Sequence, residues 1–356
     1  MKHTVAACVA AGGLALIGLA HPALAQSYEG ETIEIVYNTG PGGAVGLTAQ
    51  LVAQHIGKHI EGNPEVVAVA MPGGALLKGI QFVNNAKPDG NTVGWLAWGG
   101  STRVMDPEPL RVKFHEMGIL GGLATQWVTH VRTDAGGGLS SGADFADLEK
   151  VTHGGISPTV STDLRTAATF DLLGIEMDYV GGHKGGSDVL AALRRGEVQT
   201  RNGTTSNYLQ TVVPDLVDTG EVLGVFYWGQ PTEDGEATVP VLDPLPTFYD
   251  YYVEQRGEAP SGPAYDLLKY LTRTSDGMAW LFATPPGVPQ ERQDELAEAY
   301  VALLDDPDFI QGAMDILGTT PDPVLRDEAI QIVEATRDVS PEVLATMDRY
   351  VQSLTR

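Results

Sequence analysis

Cysteine and positive charge are what this sequence has least of. Its 356 residues include one cysteine, Cys8, at the front of an apolar run from Val5 to Ala20. Lys2 and His3 precede that run and Ala23-Leu24-Ala25 closes it before Gln26. This is the pattern of a secretory leader with a small-residue cleavage site, so residues 1–25 are expected to be a signal peptide and are set aside from the fold. A cysteine at the front of the apolar run, rather than behind it, argues against a lipid anchor. The mature chain then holds no cysteine, which excludes a disulfide framework, thiolate metal ligation and a cysteine nucleophile. No second apolar run is long enough to span a membrane, so a soluble, periplasmic product is expected. Lys and Arg number 22 against 46 Asp and Glu, a formal charge of −24. Such a balance excludes nucleic acid and anionic membrane surfaces as partners. It leaves room for a small anion, because charges beyond about 8 Å are largely screened and a pocket answers to its own groups.

Catalytic patterns are also missing. No G-x-S-x-G elbow occurs, and Ser157 in Gly155-Ile156-Ser157-Pro158 has no identifiable base or orienting acid. The run Gly40 to Gly46 resembles a dinucleotide turn, but Val69, Ala70 or Met71 occupies the place of its acidic residue, and no Gly-Lys-Ser or Gly-Lys-Thr closes a P-loop. His55 and His59 share a helix face at i and i+4, yet no glutamate follows His55, and a solvated face is expected for both. Asp305-Asp306 reads as a solvated helix end. His153 and His183 fall in or beside turns facing the expected cleft, where they contact a ligand or lie on the surface. No catalytic group, no metal and no cofactor is expected.

Glycine is what the chain has in quantity, 43 residues, many at strand-to-helix turns. The first turn is Tyr37-Asn38-Thr39-Gly40-Pro41-Gly42-Gly43-Ala44, between the β-branched run Thr32 to Val36 and an apolar-periodic segment with Leu47, Leu51, Val52, Ile56 and Ile60. Helix N-termini carry free N–H groups and partial positive charge, so this turn suits a carboxylate or phosphate. Val66 to Ala70 reads as a buried strand, Met71 to Gly74 as a second glycine turn, Leu76 to Val83 as a helix and Thr92 to Trp98 as a strand. The same grammar recurs from about Trp127 to Leu245. It comprises strands at Val151–Ile156, Ile175–Val180, Val198–Arg201 and Val222–Tyr227, helices from Leu164, Ser187 and Tyr208, and turns at 157–162 and 181–186. Beyond Pro246 the pattern predicts helices at 264–272, 290–304, 310–317 and 325–354, with Trp280 to Thr284 as a strand. An α/β chain of this length implies two lobes. Lobe 1 is expected over 26–126, lobe 2 over 127–245, and 246–356 as a return to lobe 1. Ligands bind outside the carboxyl ends of strands in such sheets, and two facing lobes wrap a small anion.

In their order and spacing these motifs resemble the extracytoplasmic solute-binding receptors of tripartite tricarboxylate transporters. The match rests on Gly40-Pro41-Gly42-Gly43, Pro72-Gly73-Gly74, Lys87-Pro88-Asp89-Gly90, Lys184-Gly185-Gly186, Gly196-Glu197-Val198, Pro246-Thr247 and Trp280-Leu281-Phe282-Ala283 with Pro285 to Pro289. The resemblance implies a two-lobed periplasmic binding fold of type II, with two crossing strands and two mostly parallel sheets. It implies a monomeric receptor that binds a small carboxylate and presents it to membrane permease subunits, without catalysis. By position, the first-turn contacts are Asn38, Gly42, Gly43 and Ala44, and those of lobe 2 are Ser157, Thr159, Ser161, Thr162 and Lys184. Tyr37, Trp98 and Trp228 stand at strand ends as candidate apolar walls. Where the family commonly has an Asp and an Arg after the first turn, this chain has Gly46 and Gln50. Ala70 replaces the usual asparagine, Gly182-His183 replaces Pro-Tyr, and residues 254–276 read as an insertion. A receptor feeding a sensor kinase and an exported α/β enzyme are the alternatives.

Overall fold

The computed structural model describes residues 28–99, 112 and 114–355; the expected signal peptide lies outside them. Strand β1 (Thr32–Tyr37), helix α1 (Ala44–Ile56), β2 (Glu65–Ala70), α2 (Leu77–Asn84), β3 (Thr92–Ala97) and β4 (Gly118–Ala124) make the first pass. The second lobe opens with β5 (Trp127–Arg132) and continues through β6 (Lys150–Gly154), α3 (Ser161–Leu173), β7 (Glu176–Val180), α4 (Gly186–Arg194), β8 (Thr200–Thr204), the wide-turned helix α5 (Tyr208–Val217) and β9 (Val222–Tyr227). Then follow α6 (Phe248–Arg256), α7 (Pro263–Leu271), β10 (Trp280–Thr284), α8 (Gln290–Leu304), α9 (Pro307–Leu317), β11 (Asp322–Leu325), α10 (Arg326–Ala335) and α11 (Pro341–Leu354).

Side-chain period decides which faces pack. Along β1, Ile33, Ile35 and Tyr37 meet Val45, Ala49, Val52 and Ile56 of α1, while Val36 points the other way to Ile80 and Val83 of α2. The first sheet is thus covered on both faces. Its order is β11-β4-β10-β3-β1-β2. In it β2 and β3 flank β1 in parallel, whereas β10 runs antiparallel to both β3 and β4, and β11 antiparallel to β4. The second sheet, β7-β6-β8-β5-β9, pairs β6 in parallel with β7 and β8, and β5 antiparallel with β8 and β9. Both sheets are therefore mixed rather than mostly parallel: β10, which re-enters the first lobe, and β5, which enters the second, each run against their neighbours. The strand at Val66–Ala70 is an edge strand of intermediate burial, not a buried one, since nothing pairs beyond it.

The tail divides between the lobes. Strands β10 and β11 with α8 to α10 join the first lobe, but Phe248 and Tyr251 of α6 and Tyr265 and Leu268 of α7 complete a core with Phe145, Phe170 and Phe226 of the second. Helix α11 returns there too, packing Val343, Met347 and Tyr350 against Leu164 and Ala168 of α3 and Leu267 and Leu271 of α7. So the expected boundary at 246, with everything after it in lobe 1, is corrected. The expected single helix at 325–354 is a strand and two helices, interrupted at 336–340 before Pro341. The chain crosses between lobes at 124–127, 272–280 and 336–340, one crossing more than expected.

Asp306, expected to be solvated, is 6 % exposed. It caps α9 through the Asp308 N–H at 3.0 Å, and its other oxygen meets Lys58 Nζ at 2.5 Å and His59 Nε2 at 3.3 Å, with His55 Nδ1 3.8 Å away. His55 and His59 thus face this carboxylate rather than open solvent. Lys58 first, with His59 and the Asp308 amide, holds the Asp306 carboxyl well below its usual range.

Candidate functional site

The cleft between the lobes holds a cavity of about 310 Å³. Three helix N-termini open on it: α1 at Gly43 and Ala44, α3 at Ser161 and Thr162, and α4 at Gly185 and Gly186. None of the three has a side-chain cap, so their first-turn N–H groups are not consumed by a capping residue. The lobes meet here. A methyl group at Gly43 of the first lobe would stand 3.6 Å from Ser187 Oγ of the second, and one at Gly186 would stand 3.4 Å from an Arg201 guanidinium nitrogen.

Arg201 on β8 is the feature that sequence reasoning missed. It lines the cavity and is 1 % exposed. One guanidinium nitrogen donates to Asn207 Oδ1 at 2.7 Å and lies 3.3 Å from His130 Nε2; its Nε has no partner. Among the described residues no carboxylate pairs with it, and burial pushes its pKa down to about 9. His130, buried beside it, is held well below the usual histidine range by burial first and by the Arg201 charge second. His130 is therefore neutral and accepts rather than competes. A signal was present in the sequence: β8 reads Thr200-Arg201-Asn202-Gly203-Thr204, a strand without one aliphatic residue, and all five positions are buried. The predicted strand at 198–201 reached Arg201 but left out Asn202 to Thr204 and gave Arg201 no role.

Of the eleven expected contacts, Gly43, Ala44, Ser161, Thr162 and Lys184 stand in the cavity wall. The other six do not. Asn38 is fully buried behind the first turn, where its amide accepts from the Ala97 N–H at 2.9 Å and donates to Ala97 O at 2.8 Å and Leu76 O at 3.0 Å. It braces the ends of β1 and β3 and the second turn. That turn needs bracing: Gly73, Gly74, Ala75 and Leu76 all have positive φ, and an L-residue there costs about 1–2 kcal/mol. Leu76, held this way, lines the cavity. Tyr37 is in the core, and Gly42 is exposed away from the wall.

Trp98 is fully buried, donating to Met278 O at 2.6 Å and packing edge-on to Phe114. Ser157 and Thr159 share a hydroxyl contact at 3.1 Å, and their turn is folded around Asp163. The Asp163 carboxylate accepts from the Ile156 and Ser157 N–H groups at 2.7 and 2.8 Å and from Tyr179 Oη at 2.6 Å. Burial raises its pKa against these bonds.

Trp228 lies buried under the Arg165 guanidinium, 4.4 Å from ring centre to charge. The aromatic wall comes instead from Trp127, at the start of β5, and Trp280, at the start of β10. His153 points into the second lobe, its Nδ1 2.8 Å from Thr200 Oγ1, and His183 Nδ1 bonds Gly155 O at 2.8 Å. Neither histidine lines the cavity. Among the described residues no cluster of three potential metal ligands occurs.

No family model matches the chain, and no curated protein is significantly similar. Solved structures are. The periplasmic binding protein BugD shares 18 % identity at a TM-score of 0.64, over 90 % of this chain and 97 % of that one. MatC from Rhodopseudomonas palustris, with bound malate, shares 16 % at 0.62, over 90 % and 98 %. A second R. palustris protein, solved with adipate, shares 16 % at 0.67, over 89 % and 97 %. The fold is that of the two-lobed periplasmic binding proteins.

Proposed function

We propose that this chain is a periplasmic solute receptor of the tripartite tricarboxylate transporter type, which captures a small carboxylate in the cleft and delivers it to membrane permease subunits. The observation that carries the reading is the charge balance at Arg201. A cation taken out of water is costly unless an anion meets it, and none of the described residues supplies one. An anion in the cavity would answer it, with N–H groups of α1 and α4 on either side, and would draw the two lobes together. Lobe 1 would consist of 28–124 with 280–335, and lobe 2 of 127–271 with 341–354. The malate and adipate in the similar structures favour a carboxylate over a phosphate. The similar structures are binding proteins, which supports binding without turnover.

Thermal unfolding with di- and monocarboxylates, acidic amino acids and phosphorylated compounds, with product analysis on each hit, tests this. A carboxylate at about a thousandfold above its dissociation constant adds about 4 kcal/mol to the folded state and is recovered unchanged. Stabilisation by phosphorylated compounds alone, or consumption of a hit, overturns the reading.

A further inference from the structure

The walls of the cavity specify more than a carboxylate. We infer that the preferred solute is a monocarboxylate with an apolar body, an unbranched acyl chain or an aromatic ring, rather than a di- or tricarboxylate. The inference rests on the receptor reading and deepens it.

Among the described residues three charged side chains line the cavity, Arg201, Lys184 and Asp188. Asp188 and Lys184 stand together on the exposed side, where the Asp188 carboxylate accepts the Lys184 backbone N–H at 3.2 Å. A ligand carboxylate near Lys184 would also face Asp188, so that corner offers no net positive field. Arg201 is left as the one buried cation. The Arg201 guanidinium borders Gly186, and Ser187 borders Gly43, so the cation and the N-termini of α4 and α1 form one continuous pole. The α3 N-terminus adds hydroxyls and N–H groups but no charge.

Apart from these charges the wall carries only neutral side chains, hydroxyls such as those of Thr39, Thr204 and Ser275 and a larger apolar share. Trp127, Trp280, Leu76, Val45, Ala279 and Val160 all face the cavity, and five of these six are buried. A second carboxylate placed among them loses its water without gaining a cation, and is penalised for it. A methylene chain or ring in the same place gains contact area.

Two matched pairs of probes, hexanoate with adipate and benzoate with terephthalate, test the inference by calorimetric titration of the mature protein near neutral pH. Each diacid carries one carboxylate more than its partner, in place of the terminal methyl of hexanoate or the para hydrogen of benzoate. The expected result is that the monoacid binds at least tenfold more tightly than its diacid in both pairs. Benzoate should also perturb tryptophan fluorescence, and Trp127→Ala should weaken benzoate about tenfold. If adipate or terephthalate binds as tightly as its partner or better, the inference is overturned while the receptor reading stands. If neither these four nor any other carboxylate binds, both fall together.

Discussion

At the scale of single residues, Arg201 separates stability from binding. Its charge is buried without a counter-ion, so replacing it by a shape-matched neutral side chain removes a penalty in the empty protein. Arg201→Met should therefore unfold no lower than the parent, while its carboxylate affinity falls by about 1.5–3 kcal/mol, the worth of a hydrogen bond to a charged group, or about 10- to 150-fold. Arg201→Lys should recover part of that loss, since an ammonium restores charge but not the planar fork. Unfolding midpoints measured with and without ligand read both quantities. A variant that loses stability and affinity together would place Arg201 in the scaffold instead. The residue-scale reading of the sequence was weakest here. The glycine turns announced themselves because backbone conformation leaves a local signature, and Gly43 and Ala44 came with them. Arg201 carried only one local sign, a strand without an aliphatic residue, which does not by itself name a role. Its meaning comes from the pairing of β8 with β5 and β6, which places a polar strand in the centre of a sheet, and that pairing is not local.

At the scale of elements, the first turn and α1 explain one departure from the family pattern. A Cβ on Gly46 would stand 2.6 Å from Gly40 O and 2.9 Å from Pro41 Cα, so no larger residue fits while the turn lies this close to its helix. Gln50 fixes the approach from one turn further on, donating to Pro41 O at 3.2 Å and Gly46 O at 2.9 Å. Gly46 and Gln50 thus belong together as a tightened turn, where the sequence showed two unrelated substitutions. Gly46→Ala should push the turn off α1 and cost about 1–3 kcal/mol as an overpacked contact. Because the N–H groups of Gly43 and Ala44 move with it, ligand affinity should fall further than in a Gln50→Ala variant, which loosens the turn without a clash. Parallel unfolding and titration of the two variants check this; equal losses in both would show that the close approach is incidental. Element boundaries elsewhere were legible where period and caps agreed, as for β9, β10 and α8. They failed at β11 and β4. The four residues Asp322–Leu325 of β11 and the glycine-broken Gly-Ile-Leu-Gly-Gly-Leu-Ala of β4 have little period of their own; β4 is a strand because it pairs with β10, and β11 because it pairs with β4.

At the scale of the whole molecule, the three crossings decide where the lobes can bend. Asp276, in the second crossing, is wholly buried and ion-paired with the wholly buried Arg165 of α3, and its backbone O accepts from the Thr125 N–H of the first crossing at 3.2 Å. The third crossing is tied to the same side, since Tyr270 Oη donates to Thr336 O at 3.1 Å. All three are thus tied to the second lobe, while Met278 O and the Ala279 N–H are held by Trp98 and Leu123 of the first, so in the second crossing rotation is expected between Asp276 and Met278, about Gly277. The Arg165–Asp276 pair is then part of a stiff base for the hinge, not of the solute site. Asp276→Asn strands the Arg165 charge and should destabilise by about 3–5 kcal/mol, the cost of breaking a buried pair from one side. Adding Arg165→Met to it should return most of that loss, because no unpaired charge remains. Carboxylate affinity of the double variant should stay within about tenfold of the parent, and small-angle scattering should still show compaction on ligand addition. If the two substitutions add without coupling, the pair contributes nothing as a pair; if compaction is lost in the stable double variant, the bend lies at Asp276 itself and the anchors have been placed on the wrong side.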